Sequence, residues 1–510
     1  MKKIIYSTIY TMDRDNPVVE AMGIEDDKIF FTGSRKEAQE IMADEILEYP
    51  DEVILPGFID THVHVIPSGL FMNGADLSKA KNIAEVLEIM KGKADETAEG
   101  EWVIGAFFQD KLIEEKRFPD RYELDGVSDK HPIFICHNDL HPFSFNSKAL
   151  ELLKFDPTLD GVCTDENGEP TGLIVDPVCV DSLDLIYSFF SDEDIVKGCK
   201  AVDDMAVANG ITTVYGKDSI RVLKLREKNK ELFNVEFKPM WMTYNTSDWE
   251  GLNEILDDEE LRSKTTICTF ADGAFDGWSA SVIEPYKGRP TEFGILLNTD
   301  DELYGFVKAA RDHDLQFSTH AIGDHAIEQV IRVYERVLKE NPKEDHRFRI
   351  EHFELPTKQS IKKAAELGIA LGMQPLLIEV CEGMDLSGYE CFIGERAGQC
   401  SPYRSILDQG ILVGGGTDYP VTPMRPLHSA RICMTQPTES ERITLMECLE
   451  MNTINAAKIG FLEDRKGMIC PGMDADFVVL DKNPFSVSVE ELSDIKVEKT
   501  YARGNLVYSK

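Results

Sequence analysis

Helix-patterned stretches that end in glycine and run directly into a short β-branched segment recur along this chain from about residue 200 onward. Three junctions show the pattern: MAVANG then ITTVYG from Met205, AAELG then IALGMQ from Ala364, and ILDQG then ILVGGG from Ile406. Gly210, Gly368 and Gly410 each fit a left-handed residue that closes a helix before a buried strand. Helix, glycine and strand in rotation imply parallel β/α architecture. Strand candidates are LPGFIDTHVH from Leu55, ITTVY from Ile211, FKPMWMTY from Phe237, TTICTF from Thr265, LQFSTH from Leu315, FRIEHF from Phe348, IALGMQ from Ile369 and ILVGGGTD from Ile411. Eight is the number that closes a (β/α)8 TIM barrel, so the expected class is α/β with such a barrel at its centre.

The distance between the first two strands is far too long for one crossover, so residues 70–190 are expected to form an inserted subdomain on the catalytic end of the barrel. Residues 1–54 and 466–510 carry alternating strand patterns, among them KIIYSTIYTM, DADFVVLD and KTYARGNLVYS. The two ends are expected to pair into one small β-sandwich domain, leaving 55–465 as the barrel. A chain of 510 residues has room for this arrangement.

Charge excludes several functions. Lys plus Arg is 54 against 92 for Asp plus Glu, a net charge of -38, which disfavours nucleic acid and anionic membrane as partners, since both need a basic surface. The 11 cysteines show no C-x-x-C pair, so neither a zinc ribbon nor a disulfide framework is expected. The N-terminus lacks the cleavage site of an export signal and no run of 18 apolar residues occurs, so a cytoplasmic location is expected.

Barrels of this kind carry their chemistry at the carboxyl ends of the strands. The first candidate strand ends in His62-Val63-His64, the fifth in His320, the sixth in His352 and the eighth in Asp418. Residues i and i+2 of a strand share a face, so His62 and His64 project together. Four imidazoles and a carboxylate converging from four strands suit Zn2+ or a similar divalent ion, Mn2+ and Co2+ included. The remaining histidines described by position, His131, His137, His313, His325, His346 and His428, lack such placement and are expected to be structural. Asp324 precedes a helical pattern and is expected to be its N-cap. The run Gly414, Gly415, Gly416 permits close backbone approach, with no lysine and serine after it to make a phosphate loop.

PGFIDTHVH from Pro56 resembles the opening motif of the amidohydrolase superfamily. The later landmarks are similar to its family 3, the YtcJ-like metal-dependent hydrolases: NDLHPFSFNSKAL from Asn138, GEPTGLIVD from Gly168, NGITTV from Asn209, ADGAFDGWSASVIEPY from Ala271, HAIGDHAI from His320, RIEHF from Arg349, GGGTDYPVTP from Gly414 and KGMICPGMDADFVVLDKNPF from Lys466. The resemblance covers nearly the whole chain. It implies a metal-bearing barrel with a β-sandwich-like domain built from both termini, and hydrolysis of a C–N bond in an amide, a cyclic amide or an amino-substituted ring. It also implies that His141, in N-D-L-H, faces the substrate and adds an oxyanion donor. In the family a lysine, often carbamylated to bridge two metals, stands four residues before the D-G motif, where this chain has Cys268. Cys268 is then either a thiolate ligand or a small packed residue beside a single ion held by His62, His64, His320 and Asp418. Lys217, at the end of the second strand, is a distant substitute and is expected to be a solvated loop residue.

A divalent ion with an open position lowers the pKa of bound water to roughly 7, and Asp418 is the expected general acid and base. Three functions remain open: an amide or N-acyl hydrolase of a small molecule, a ring deaminase on the same scaffold, and a non-catalytic relative kept for assembly or regulation. Retention of the four histidines and Asp418 speaks against the third. Aromatic candidates for the substrate pocket are Trp102, Phe107, Phe108, Phe275 and Trp278, which equally suit a core. Association into a homo-oligomer is left open.

Overall fold

A computed structural model describes residues 1–137, 142–159, 161–175, 178, 185–243, 246 and 248–510, apart from the side chains of Ile66 and Pro67. At its centre is an eight-stranded parallel sheet curled into a nearly closed barrel, with strands β1 Phe58–Val63, β2 Ile211–Asp218, β3 Glu236–Met242, β4 Thr266–Phe270, β5 Phe317–Ala321, β6 Arg349–His352, β7 Ala370–Met373 and β8 Val413–Gly415 in sequence order around it. All eight expected strands are present. The first expected strand is divided at Gly57: Leu55 and Pro56 end a strand of another sheet, and the barrel strand starts at Phe58. A Cβ on Gly57 would lie 2.4 Å from Thr212 Oγ1, so only glycine lets the chain pass between the two sheets here. β1 and β8 meet through a parallel bridge between Val63 and Tyr419 and through hydrogen bonds from Asp418 N to His62 O (2.8 Å) and from His64 N to Tyr419 O (2.9 Å).

The strands are buried along almost their whole length, as a parallel sheet covered by helices requires. Gly210, Gly368 and Gly410 have φ of 77°, 70° and 72°, the left-handed conformation expected where a helix stops and a strand starts. The helix Asp192–Ala208, which leads into β2, starts with a capping box between Ser191 and Asp194, and Asp300–Asp312, which leads into β5, starts with one between Thr299 and Glu302. Ahead of β6 the helix Asp324–Glu340 buries Ile327, Val330, Ile331, Tyr334 and Val337 on one face. Its N-cap is Gly323; Asp324 is the first helical residue, and its carboxylate accepts from Ile283 N at 2.8 Å and His325 N at 3.0 Å, so it ties the loop after β4 to this helix instead of capping it.

Two further sheets flank the barrel. The stretch between β1 and β2 contains a six-stranded sheet drawn from residues 75–174, and a seven-stranded sheet joins strands from residues 2–56 to strands from residues 477–509. In the second, the long strand Glu45–Pro56 pairs parallel with Lys2–Tyr10 and antiparallel with Phe477–Leu480, so both chain ends are held on one element. Among the described residues no helix is long and apolar enough to cross a membrane.

Candidate active site

The carboxyl ends of β1 and β8 bring three of the expected side chains together. His62 Nε2 and His64 Nε2 each lie 3.1 Å from Asp418 Oδ1, and donor atoms of the three residues fall within 4.8 Å of one another. All three are buried, yet His62 Nε2 and Asp418 Oδ1 have no hydrogen-bond partner. Buried polar atoms are normally satisfied, so imidazole nitrogens and a carboxylate oxygen crowded at one buried point fit a cation. Burial alone would raise the Asp418 carboxyl, but His62 and His64 beside it hold it well below the usual carboxylate range. Burial pushes His64 down despite Asp418.

Surrounding groups fix the orientation of His62. Its Nδ1 lies 2.8 Å from Glu351 Oε2 on β6. Glu351 is fully buried; burial would raise its pKa, but Arg349, Lys217 and His62 hold it well below the carboxylate range. Its other oxygen accepts from Ser318 Oγ at 2.6 Å and pairs with Arg349 Nη2 at 2.8 Å. An ionised Glu351 keeps the His62 proton on Nδ1 and turns the Nε2 lone pair to the cluster. Gly372 on β7 makes space for this pair, since a Cβ there would lie 2.4 Å from Glu351 Oε2. Asp60 holds the two strand ends in register, accepting from His62 N at 3.1 Å and Thr417 N at 3.0 Å. Gly416 lets β8 approach β1, because a Cβ there would come within 2.6 Å of His62 Cβ.

His352 and His320 stand next to the cluster. The His352 ring centroid is 5.0 Å from that of His62 and 4.5 Å from that of His320, and His352 Nδ1 is buried without a hydrogen-bond partner. Burial pushes His352 down to about 3 against the pull of Asp418, so it is neutral at pH 7. His352 and Asp418 have φ of 70° and 58°, a left-handed backbone that non-glycine residues seldom adopt and that strand ends at working sites often carry. His320 Nε2 lies 3.2 Å from Gly273 O, so that nitrogen donates to the β4 loop. Asp272 of the D-G motif gathers the same loops, accepting from Ile322 N, Gly323 N and Ser281 N at 3.0, 2.9 and 2.8 Å.

Cys268 on β4 is fully buried and outside the three-residue donor group; burial pushes its thiol up, with Lys217 opposing. Lys217 is not a solvated loop residue. It lies within β2 with 0% exposure, because the strand runs on to Asp218 and turns this side chain inward. His141 lies outside the described residues. Of the aromatic candidates, Phe108 and Phe275 are core residues at 0% and 1% exposure, while Trp278 packs on Phe392 and carries Arg289 3.6 Å above its ring. Glu351, Arg349, Asp60 and Gln374, whose amide lies 3.0 Å from His62 Nδ1, escaped the sequence reading. Glu351 and Arg349 sit inside the RIEHF string, and the signal available was two opposite charges in an otherwise buried strand.

A parallel barrel with an imidazole and carboxylate cluster at its carboxyl mouth defines a class of barrel proteins whose side chains there could hold a metal ion. The chain belongs to the amidohydrolase family, whose sequence profile matches residues 51–508. It is 27% identical over 529 residues to the putative amidohydrolase YtcJ of Bacillus subtilis strain 168, covering 98% of each chain. It is 24% identical over 544 residues to the N-substituted formamide deformylase of Arthrobacter pascens, covering 99% of this chain and 98% of that one. The fold is similar to that of an uncharacterised metal-dependent hydrolase from Pyrococcus horikoshii OT3, with a TM-score of 0.79, 22% identity, and coverage of 96% and 99% of the two chains.

Proposed function

We propose that this protein is a metal-dependent hydrolase of a small molecule, cleaving a C–N bond other than a peptide bond in an amide, N-acyl or cyclic amide group, in the cytoplasm. The observation that carries the reading is the set of buried donor atoms at His62, His64 and Asp418, of which His62 Nε2 and Asp418 Oδ1 have no hydrogen-bond partner. Imidazole and carboxylate together fit Zn2+ best, with Mn2+ or Co2+ as substitutes. His62, His64 and Asp418 would hold the ion, with His320, His352 and Cys268 as the further candidates and one or two ions as the stoichiometry. When bound, the ion acts as a Lewis acid and lowers the pKa of water to roughly 7.

Asp418, held ionised by the imidazoles beside it, accepts the proton of the attacking water and delivers it to the departing nitrogen. Glu351 keeps His62 in one tautomer throughout. His352, neutral and with Nδ1 unpartnered, is positioned to hydrogen-bond the substrate, and His141 is assigned the oxyanion donor. The name of the Arthrobacter relative, a deformylase of N-substituted formamides, agrees with an acyl C–N bond as the target. The barrel at 55–465, the subdomain at 70–190 and a terminal β-sandwich domain from 1–54 and 466–510 belong to the same reading, with one sheet assigned to each.

Chelation followed by readdition of Zn2+, Mn2+ or Co2+ tests the ion, and a screen of N-acyl amino acids, cyclic amides and aminated heterocycles tests the bond. Loss of turnover on chelation and recovery with metal are expected, with carboxylate released. Full turnover by metal-stripped protein overturns the reading. Release of ammonia from the heterocycles alone replaces it with the deaminase.

A further inference from the structure

A second constellation of side chains stands apart from the donor group at the barrel mouth, where three elements distant in sequence meet. The helix Pro426–Thr435 carries His428, the turn Ile378–Glu382 carries Glu379, and the turn Glu490–Asp494 carries Ser493. His428 is 9% exposed and both of its ring nitrogens are engaged: Nδ1 lies 2.6 Å from Ser493 Oγ, and Nε2 lies 2.6 Å from Glu379 Oε2. A carboxylate only accepts, so the proton between His428 and Glu379 sits on Nε2, and Nδ1 is the nitrogen that faces the serine hydroxyl. Arg431 Nη1, from the same helix, lies 3.6 Å from Glu379 Oε1, and Arg425 Nη2 donates to Ser493 O at 2.7 Å. The acid and the serine are each held from the element that carries the imidazole. Ser493 is half-buried and Arg425 exposed, so the cluster lies at the surface.

A hydroxyl bonded to an imidazole whose other nitrogen is bonded to a carboxylate is the arrangement that makes a serine nucleophilic. We propose that Ser493, His428 and Glu379 form a second site, independent of the His62, His64 and Asp418 group, that hydrolyses small activated esters. A surface cluster offers a substrate little binding energy, so the class it suits is a small ester with a good leaving group. Ser493 Oγ attacks the acyl carbon while its proton passes to His428 Nδ1. The C–O bond to the leaving group then breaks, and that oxygen takes the proton from His428. Water attacks the acyl-serine in turn, its proton reaches Ser493 Oγ through His428, and the acid departs. One ester and one water thus become one acid and one alcohol. Arg425, bonded to the serine's own carbonyl, brings positive charge beside the tetrahedral oxyanion. Glu379 is a positioning residue: it fixes the ring and offsets the charge that His428 gains. This is a different role from the structural one expected of His428 from its place in the sequence.

The test exposes the full-length protein to a fluorophosphonate, which phosphonylates activated serines, and locates the label by peptide mass, with p-nitrophenyl acetate turnover followed in parallel. Label on Ser493 is expected in wild type and is absent there in Ser493→Ala. Labelling is expected to be at least about 100-fold slower in His428→Gln, the lower end of what a general base contributes. Ser493→Ala is expected to abolish the aryl ester turnover that survives chelation and to leave the metal-dependent turnover unchanged. Glu379→Gln is expected to lower kcat for the aryl ester with KM unchanged, a split that a merely structural role would not produce. An unlabelled Ser493 in wild type, or equal labelling rates in wild type and His428→Gln, overturns the proposal. Ester turnover that chelation removes entirely overturns it as well, by placing that activity at the barrel mouth. If His428→Gln does not fold, Ser493→Ala, which removes one oxygen atom, decides it through the label and the chelation-resistant turnover.

Discussion

The chemistry of the site depends on which nitrogen of His62 carries a proton, and one buried carboxylate decides that. Glu351 lies 2.8 Å from His62 Nδ1 and is held ionised by Arg349. Glu351→Gln keeps the shape but weakens the hold on the Nδ1 proton and strands Arg349. Metal affinity is expected to fall by roughly 10- to 100-fold, the usual effect of losing a group that orients a ligand. A chelator competition titration gives the number, and an affinity equal to wild type would remove Glu351 from this role. The sequence showed opposite charges in a buried strand but not where Glu351 points. In a regular strand Glu351 and His352 point to opposite faces, and both serve the site because His352, at φ 70°, breaks that alternation.

The loops that close over the barrel mouth are joined by buried acids as well as by packing. After β7 the turn Ile378–Glu382 carries Glu382 into the interior, where Ser401 Oγ donates to it. Burial raises Glu382 from 4.5 to about 7, with Ser401 opposing. The folded chain therefore binds this proton more tightly than the unfolded chain does. Its stabilising effect is complete below pH 4.5 and is lost as pH rises to about 7, by up to about 3 kcal/mol. Thermal melts across that range should show wild type losing stability relative to Glu382→Gln, which stays protonated-like throughout. Parallel curves for the two proteins would exclude the effect. The strand and helix series itself was legible, since glycine stops and 3.6-residue periodicity are local signals. The Asp324 position was not, because Asp and Gly both suit an N-cap and the contact to Ile283 comes from a distant loop.

Both ends of the chain are tied to the barrel by a charge network. Lys466, 3% exposed, pairs with Asp476, with Glu236 of β3 at 3.2 Å and with Asp474 at 3.4 Å; Arg465 joins Glu236 and Asp474, and Lys28 reaches Asp474 at 2.6 Å. Strands near residues 28 and 476 and the first residue of β3 are thus held at one point. Lys466→Met would leave buried carboxylates short of a cation, at a cost of about 3 kcal/mol. Denaturant unfolding should show that loss with the bound metal unchanged. A shift below about 0.5 kcal/mol, typical of surface pairs, would mean the network does not couple the sheet to the barrel.

By itself the sequence determined the barrel and the residues at its mouth, because helix stops, strand runs and the His62, His64, His320, His352 and Asp418 positions are each set within a few neighbouring residues. Only the tertiary structure decided how those residues divide: His62, His64 and Asp418 converge, His320 turns one nitrogen to a carbonyl, and Lys217 is drawn inside. The physical reason is that the direction of a barrel side chain is fixed by strand stagger and by its neighbours across the barrel, and a linear sequence records neither.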